Sequence, residues 1–495
     1  MKTFIQLNPN DDVVVLLLET VKGTLIDVEG QSITVLQDIP AGHKMAIKPI
    51  AEGQNILKYG YPIGMATAPI VIGEHVHTHN IKTGLSGTLT YEYQPKQSAL
   101  QTGSDPRTFK GFVRKNGDVG IRNELWIVPT VGCVNGQAEQ MIRRFKEEVA
   151  PTDIDAIEVF KHSYGCSQLG DDHKNTRTIL GDIALHPNAG GVLVLGLGCE
   201  NNIVGDFRKS LGEYDDERVK YLVAQDVEDE IEIGVQLLKE LYAKMQQDQR
   251  VEVPLAKLKI GLKCGGSDGF SGITANPLLG AFSDFLIANG GTTILTEVPE
   301  MFGAETILME RTVNHEVFDK TVHLINDFKD YFCAHNQPVY ENPSPGNKAG
   351  GISTLEDKSL GCTQKGGTAP VVDVLKYGER IKIHGLNLLS APGNDLVATT
   401  ALGASGCQMV LFTTGRGTPF GSFIPTMKVS TNSRLAKLKP HWVDFNAGVL
   451  VEDQPMPEVL DQFINLIISV ASGEKLNHEK HGFKEISIFK TGVTL

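Results

Sequence analysis

The chain has no Cys-x-x-Cys pair, no block of lysine and arginine, and no run of about 18 apolar residues. The first absence argues against a structural zinc ribbon and a dithiol redox enzyme. The second, with a formal net charge of −13, argues against a nucleic-acid groove or an anionic membrane surface as partner. The third excludes an ordinary membrane-spanning helix. The start, Met1 to Asn8, has one lysine and no apolar core, so it reads as lacking a secretory leader. The Gly-x-Gly-x-x-Gly fingerprint fails as well: after Gly196 and Gly198 the third position is Asn201, which rejects a nicotinamide enzyme. Seven cysteines are an odd number, and six of them sit beside glycine instead of in a disulfide framework. A reducing cytoplasm is the expected setting.

What is there is ordinary in bulk, 41% hydrophobic and 21% charged over 495 residues, enough for several domains. Three strand-like runs, from Glu124, Ala156 and Gly191, each end on Gly-Cys, and Cys133, Cys166 and Cys199 stand 33 residues apart. One strand plus one crossover helix needs about 30 residues, so the interval fits a parallel βαβ succession. Ligands of open parallel sheets bind outside the carboxyl ends of the strands. Two readings follow: three thiols facing one crevice, or three small buried residues turning tight corners.

Residues 1–93 read as a compact all-β unit, in which β-branched runs alternate with Gly and Pro turns. On a strand, His75, His77 and His79 would project to one face, where imidazoles suit a metal or a proton relay. Residues 94–107 read as a linker, 108–252 as a first α/β domain with Gly-Cys strand ends, and 253–495 as a second α/β domain. Helices are expected near 228–247, 277–288 and 458–470, and a last strand at Ile486–Phe489. Residues 338–368, dense in Lys, Asn and Gly, read as a long functional loop. Polar residues close nearly every strand, and cysteine, histidine and carboxylate together suit a transition metal.

Long strings of the chain resemble the altronate/galactarate dehydratase family of bacterial sugar-acid hydro-lyases. They include Gly73–Asn80, Asn116–Gly136, Tyr164–His173, Gly196–Asn202, Lys263–Pro277, Asn342–Lys365 and Thr491–Leu495. The resemblance implies a β-clip domain of the SAF type followed by a Rossmann-like α/β region, and a homodimer. It implies ferrous iron, with manganese substituting, and conversion of D-altronate to 2-dehydro-3-deoxy-D-gluconate in hexuronate breakdown. Residue roles come from the physical reading. Cys133, Cys166 and Cys199 are metal-ligand candidates, as thiolates of a mononuclear site or of a [4Fe–4S] cluster with one open iron; His75, His77 and His79 form a rival site. His162, Glu200, His173 and Lys263 are candidates for proton transfer or further ligation, and Lys348, Lys365, Arg416 and Asn394 for gripping a sugar-acid substrate. Dehydration of galactarate or another aldarate is the alternative activity, and a sugar-acid-binding regulatory protein the alternative outside catalysis.

Overall fold

The computed structural model describes residues 2–96, 100 and 102–494. The first stretch is all β, as its turn spacing predicts. Strands Phe4–Ile5, Val13–Leu16, Lys44–Ala46 and His75–Val76 form one sheet in that order, and a second of three strands is built from Asn55–Lys58, Tyr61–Ala66 and Ile81–Lys82. Strand alternation splits the run Val13–Leu16 between two cores: Val13 packs with Ile56 and Ile63, whereas Val14 and Leu16 pack with Ile26 and Ile33. The first of these cores is completed by Ala304 and Leu360 from the far end of the chain. This unit therefore shares a core with the third domain.

The Gly-Cys strands lie side by side. Strands 157–159, 124–129, 189–196 and 219–223 form a parallel sheet in that order. The third domain holds a seven-stranded, all-parallel sheet ordered 371–375, 386–389, 292–295, 259–264, 409–414, 426–430 and 445–446. From Lys259–Cys264 the chain first builds outward to one side, then returns to build the other from Met409–Thr414. The switch point, where a ligand crevice is expected, is at the carboxyl ends of those two strands. Strands 189–196 and 409–414 are buried throughout, which is why they read as continuous apolar runs. The chain is thus an α/β multidomain protein with an N-terminal β unit, and among the described residues no helix is long and apolar enough to cross a membrane.

Helices expected from periodicity fall at Glu230–Met245, Ala275–Ala288 and Met456–Ala471. Three local expectations fail. Residues 486–489 form no strand: Ile486 and Ile488 are buried, but Ser487 N–H donates to Thr400 Oγ1 and Phe489 N–H to the Tyr377 hydroxyl. Alternation was real, and side-chain hydroxyls took the place of a ladder partner. His75 and His77 do not share a strand, because the strand ends at Val76. Asn80 folds the chain into a turn, its side chain accepting from His77 N–H and donating to the His75 carbonyl. The supposed long loop contains the helix Leu355–Cys362, in which every residue is buried.

Arg122 pins the second domain to the third. Its guanidinium is fully buried, pairs both Glu479 oxygens at 2.7 and 2.8 Å, and donates to the carbonyls of Val470 and Glu474. Burial pushes the Glu479 carboxyl upward, but the Arg122 hydrogen bonds and charge outweigh it and hold the group at about 2 against an ordinary 4.5. Between those values the unfolded chain binds more protons than the folded one, so the pair's contribution is whole above about pH 4.5 and is lost as pH falls toward 2. Accordingly, the stability gap between wild type and Glu479→Gln, read from urea midpoints, should be constant near neutrality and close through that window.

Candidate functional site

Two groups of side chains meet where the β unit is seated on the third domain. The first is imidazole. Met45 faces His75 across the antiparallel pair, and alternation sends His43 to that same face and Lys44 to the other. His43 Nδ1 is 3.0 Å from His75 Nε2, the His75 and His77 rings are stacked at 5.4 Å, and ligand nitrogens of all three lie within 4.8 Å of one another. His43 also reaches the Ala349 carbonyl at 3.4 Å, and His77 Nδ1 lies 3.2 Å from Ser353 Oγ. Burial, then the neighbouring imidazoles, pushes His75 down to about 3; burial and Lys44 push His77 down to about 4. Three neutral imidazoles converging on one point are the donor set a divalent transition metal takes, so the residues fit such an ion. His79 is exposed, with its ring 5.4 Å from His75.

On the opposite face, Lys44 Nζ bonds Asp357 at 2.8 Å and the Gly351 carbonyl at 2.7 Å, while Lys58 takes the other Asp357 oxygen at 2.9 Å. Burial raises the Asp357 carboxyl, and the two lysines outweigh it, holding the group well below the usual carboxylate range. Breaking such a buried pair costs about 3–5 kcal/mol. Close backbone contact seals the same seam: a Cβ on Gly269 would stand 2.0 Å from the Gly42 oxygen, and one on Gly351 2.4 Å from it.

The second group occupies the switch point. Lys263 is buried between Glu297, Asp395 and the Cys264 carbonyl, and Lys365 lies 2.8 Å from Cys264 Sγ and 3.2 Å from Glu297. Glu297 holds a left-handed backbone (φ 68°), strain of the kind, about 1–3 kcal/mol, that tends to cluster at functional sites. Glu300 receives Lys358 at 2.7 Å and both Cys264 and Cys362. A narrow cleft lined by Lys58, Ser267, Asp357, Lys358 and Cys362 runs beside this group, and the buried Ser267 hydroxyl has no hydrogen-bond partner there. A buried hydroxyl in this position has room for a polar partner such as water.

Comparison with known proteins decides the family. Residues 2–84 match the altronate/galactarate dehydratase SAF domain, 111–246 the D-galactarate dehydratase/altronate hydrolase second domain, and 255–494 the D-galactarate/altronate dehydratase C-terminal domain. An altronate dehydratase of Bacillus subtilis is 62% identical over the full length of both chains. The chain belongs to the altronate/galactarate dehydratase family. Another of its members, an altronate dehydratase of Escherichia coli, is 57% identical over 99% of this chain and all of its own. Galactarate dehydratase (L-threo-forming) of Escherichia coli is 32% identical over 89% of this chain and 87% of its own.

Within this family fold the sequence-derived candidates separate. His75, His77 and Lys348 come to the seam or its rim, Lys348 exposed, whereas Arg416 is exposed against the Gly266 turn of the third domain. Lys263 and Lys365 reach the switch point, where both are buried and paired with Glu297. His162 has both nitrogens engaged, with the Pro129 carbonyl at 2.8 Å and Tyr164 N–H at 3.1 Å. Glu200 is filled by the Thr130 hydroxyl and the N–H groups of Leu197 and Gly198. His173 lies against Arg177, and Asn394 caps the helix Asp395–Ala404. Cys133, Cys166 and Cys199 are exposed on the loops after three neighbouring strands, and their sulfurs are not among the sets of donors that converge within 4.8 Å among the described residues. Sequence reasoning missed His43, Lys44, Lys58, Asp357, Cys264 and Cys362; only Gly361-Cys362 carried a signal, the same Gly-Cys pair as the strand ends. Because the seam closes on backbone, Gly269→Ala should lower the urea midpoint by an amount equivalent to about 1–3 kcal/mol.

Proposed function

We propose that this chain dehydrates D-altronate to 2-dehydro-3-deoxy-D-gluconate and water, a carbon–oxygen lyase reaction. Its end-to-end likeness to two altronate dehydratases carries the reading. The proton beside the carboxylate is removed, the neighbouring hydroxyl leaves as water, and the enol becomes the 2-keto acid. We assign ferrous iron to His43, His75 and His77, whose neutral rings are ready ligands. Bound there, it would supply Lewis-acid polarisation of substrate oxygens.

The remaining tasks fall to side chains around that point. Lys348 and Arg416, which have no carboxylate partner among the described residues, would hold the sugar acid's carboxylate. Lys348 is next to Ala349, whose carbonyl touches His43. His79, exposed beside His75, would take the proton next to the carboxylate. Asp357, through Lys44, holds the strand that presents His43, which makes it a positioning residue.

Anaerobic protein supplied with ferrous iron should release 2-keto acid from D-altronate far faster than from galactarate; the reverse preference would overturn the substrate assignment. Manganese and a homodimer are further expectations, read by metal replacement and light scattering. His79→Gln should lower kcat by about 10²–10⁴ with bound metal unchanged. His77→Ala should lose the one equivalent of iron held by the imidazoles while Cys166→Ser keeps it; iron lost with Cys166, together with labile sulfide, would move that metal to the Gly-Cys loops as a cluster.

A further inference from the structure

The switch point contains a second convergent donor set that the dehydration reading does not use. Cys264 Sγ and Cys362 Sγ are 3.4 Å apart, and both face one oxygen of Glu300, at 3.1 and 3.3 Å. The three atoms make a nearly equilateral triangle, and all three residues are buried. The other Glu300 oxygen is taken by Lys358, which fixes the carboxylate with one oxygen turned to the sulfurs. A buried thiol ordinarily packs as a small apolar group. Cys407 does so, in the core with Phe412 and Phe423. Cys264 and Cys362 instead sit amid three lysines and two glutamates, polar surroundings that an apolar packing role does not require.

Charge counting points the same way. Lys263, Lys358 and Lys365 are matched by Glu297, Glu300 and Asp395. The group is therefore neutral with both thiols protonated. Exchanging the two thiol protons for one dication leaves it neutral: two S–H bonds break, two metal–sulfur bonds form, and two protons leave to solvent. The dimensions also agree. With metal–sulfur bonds of about 2.3 Å and metal–oxygen bonds of about 2.1 Å, an ion stands roughly 1 Å off the plane of this triangle without moving a ligand.

We infer that Cys264, Cys362 and Glu300 bind a thiophilic divalent ion, zinc or ferrous iron, at a site separate from the imidazoles. Two sulfurs and one carboxylate select such an ion over magnesium or calcium. Its place in the fold suggests its use. Cys362 ends the helix whose first turn carries Asp357, about 7.5 Å away along the axis. An ion here would tie that helix to the strand Lys259–Cys264 and so stiffen the mount of the β unit.

The test uses the full chain with Cys133→Ser, Cys166→Ser, Cys199→Ser and Cys333→Ser, to remove the exposed thiols, and His77→Ala, to remove the imidazole site. Anaerobic cobalt titration of this chelator-stripped protein should give a sulfur-to-cobalt charge-transfer band that saturates at one equivalent. Adding Cys362→Ser should abolish it, and adding Cys407→Ser should leave it intact. X-ray absorption on the zinc-loaded protein, which needs no change at the site, should show two sulfur neighbours at about 2.3 Å. Absence of the band and of sulfur neighbours would overturn the inference, as would finding Cys264 and Cys362 joined as a disulfide in protein purified under reductant. The readouts are spectroscopic, so failure of the altronate reading would not affect them.

Discussion

One buried carboxylate, Asp357, pairs with two lysines that come from another domain. Lys44 and Lys58 arise on different strands of the β unit, and both are taken out of water when that unit meets the helix Leu355–Cys362. Burial opposes each charge, and pushes Lys44 down to about 8 even with its partner in place. The arrangement is tolerable only with the partners aligned, so it specifies one seating of the domains and penalises every other. The imidazole group inherits its geometry from that seating, since His43 is next to Lys44 in the chain and points to the opposite face.

The same helix extends the constraint into the third domain. Its next residue, Lys358, holds Glu300, and its last, Cys362, reaches Cys264 at the end of the central strand. A short segment thus joins the rim of the imidazole site to the switch point through charge at each step. Apolar packing contributes at the margins, through Leu360 under the β unit and Leu355 in the main core. The interior of this seam is mostly ionic. It is specific because unpaired members would be costly, and it lies beside an orphaned hydroxyl that a polar partner such as water can satisfy.

What the sequence discloses follows from what has a period. Strands buried on both faces appear as apolar runs, and Met456–Ala471 declares itself by one apolar stripe. The Gly-Cys corners locate three strand ends correctly, though not a convergent trio of sulfurs. The helix Leu355–Cys362 defeats the same logic. Its Glu, Asp, Lys, Ser and Gly look like surface, and partners distant in the chain, 272 or 273 residues for Glu356, 299 and 313 for Asp357 and 58 for Lys358, make the burial of its charges possible. His43 was hidden for a related reason: nothing local distinguishes it, and His75 joins it through a strand pairing 32 residues apart. Of the candidate site, the residues in recognisable strings were legible. Those defined by long-range charge pairing were not.

The Lys44–Asp357 pairing also bears on how the chain is made. The β unit leaves the ribosome first, yet the carboxylate it requires is synthesised 313 residues later, about 15–60 s at ordinary elongation rates. Through that interval Lys44 and Lys58 lack the Asp357 carboxylate and must stay hydrated, which keeps the face around them from closing. The small hairpins can form early, since their ladders are local. The histidine-bearing face gains its final shape only once most of the polypeptide has emerged. Nascent chains stalled in the second domain would therefore expose a half-finished β unit, with its apolar underside awaiting Ala304 and Leu360, as a natural client for chaperones.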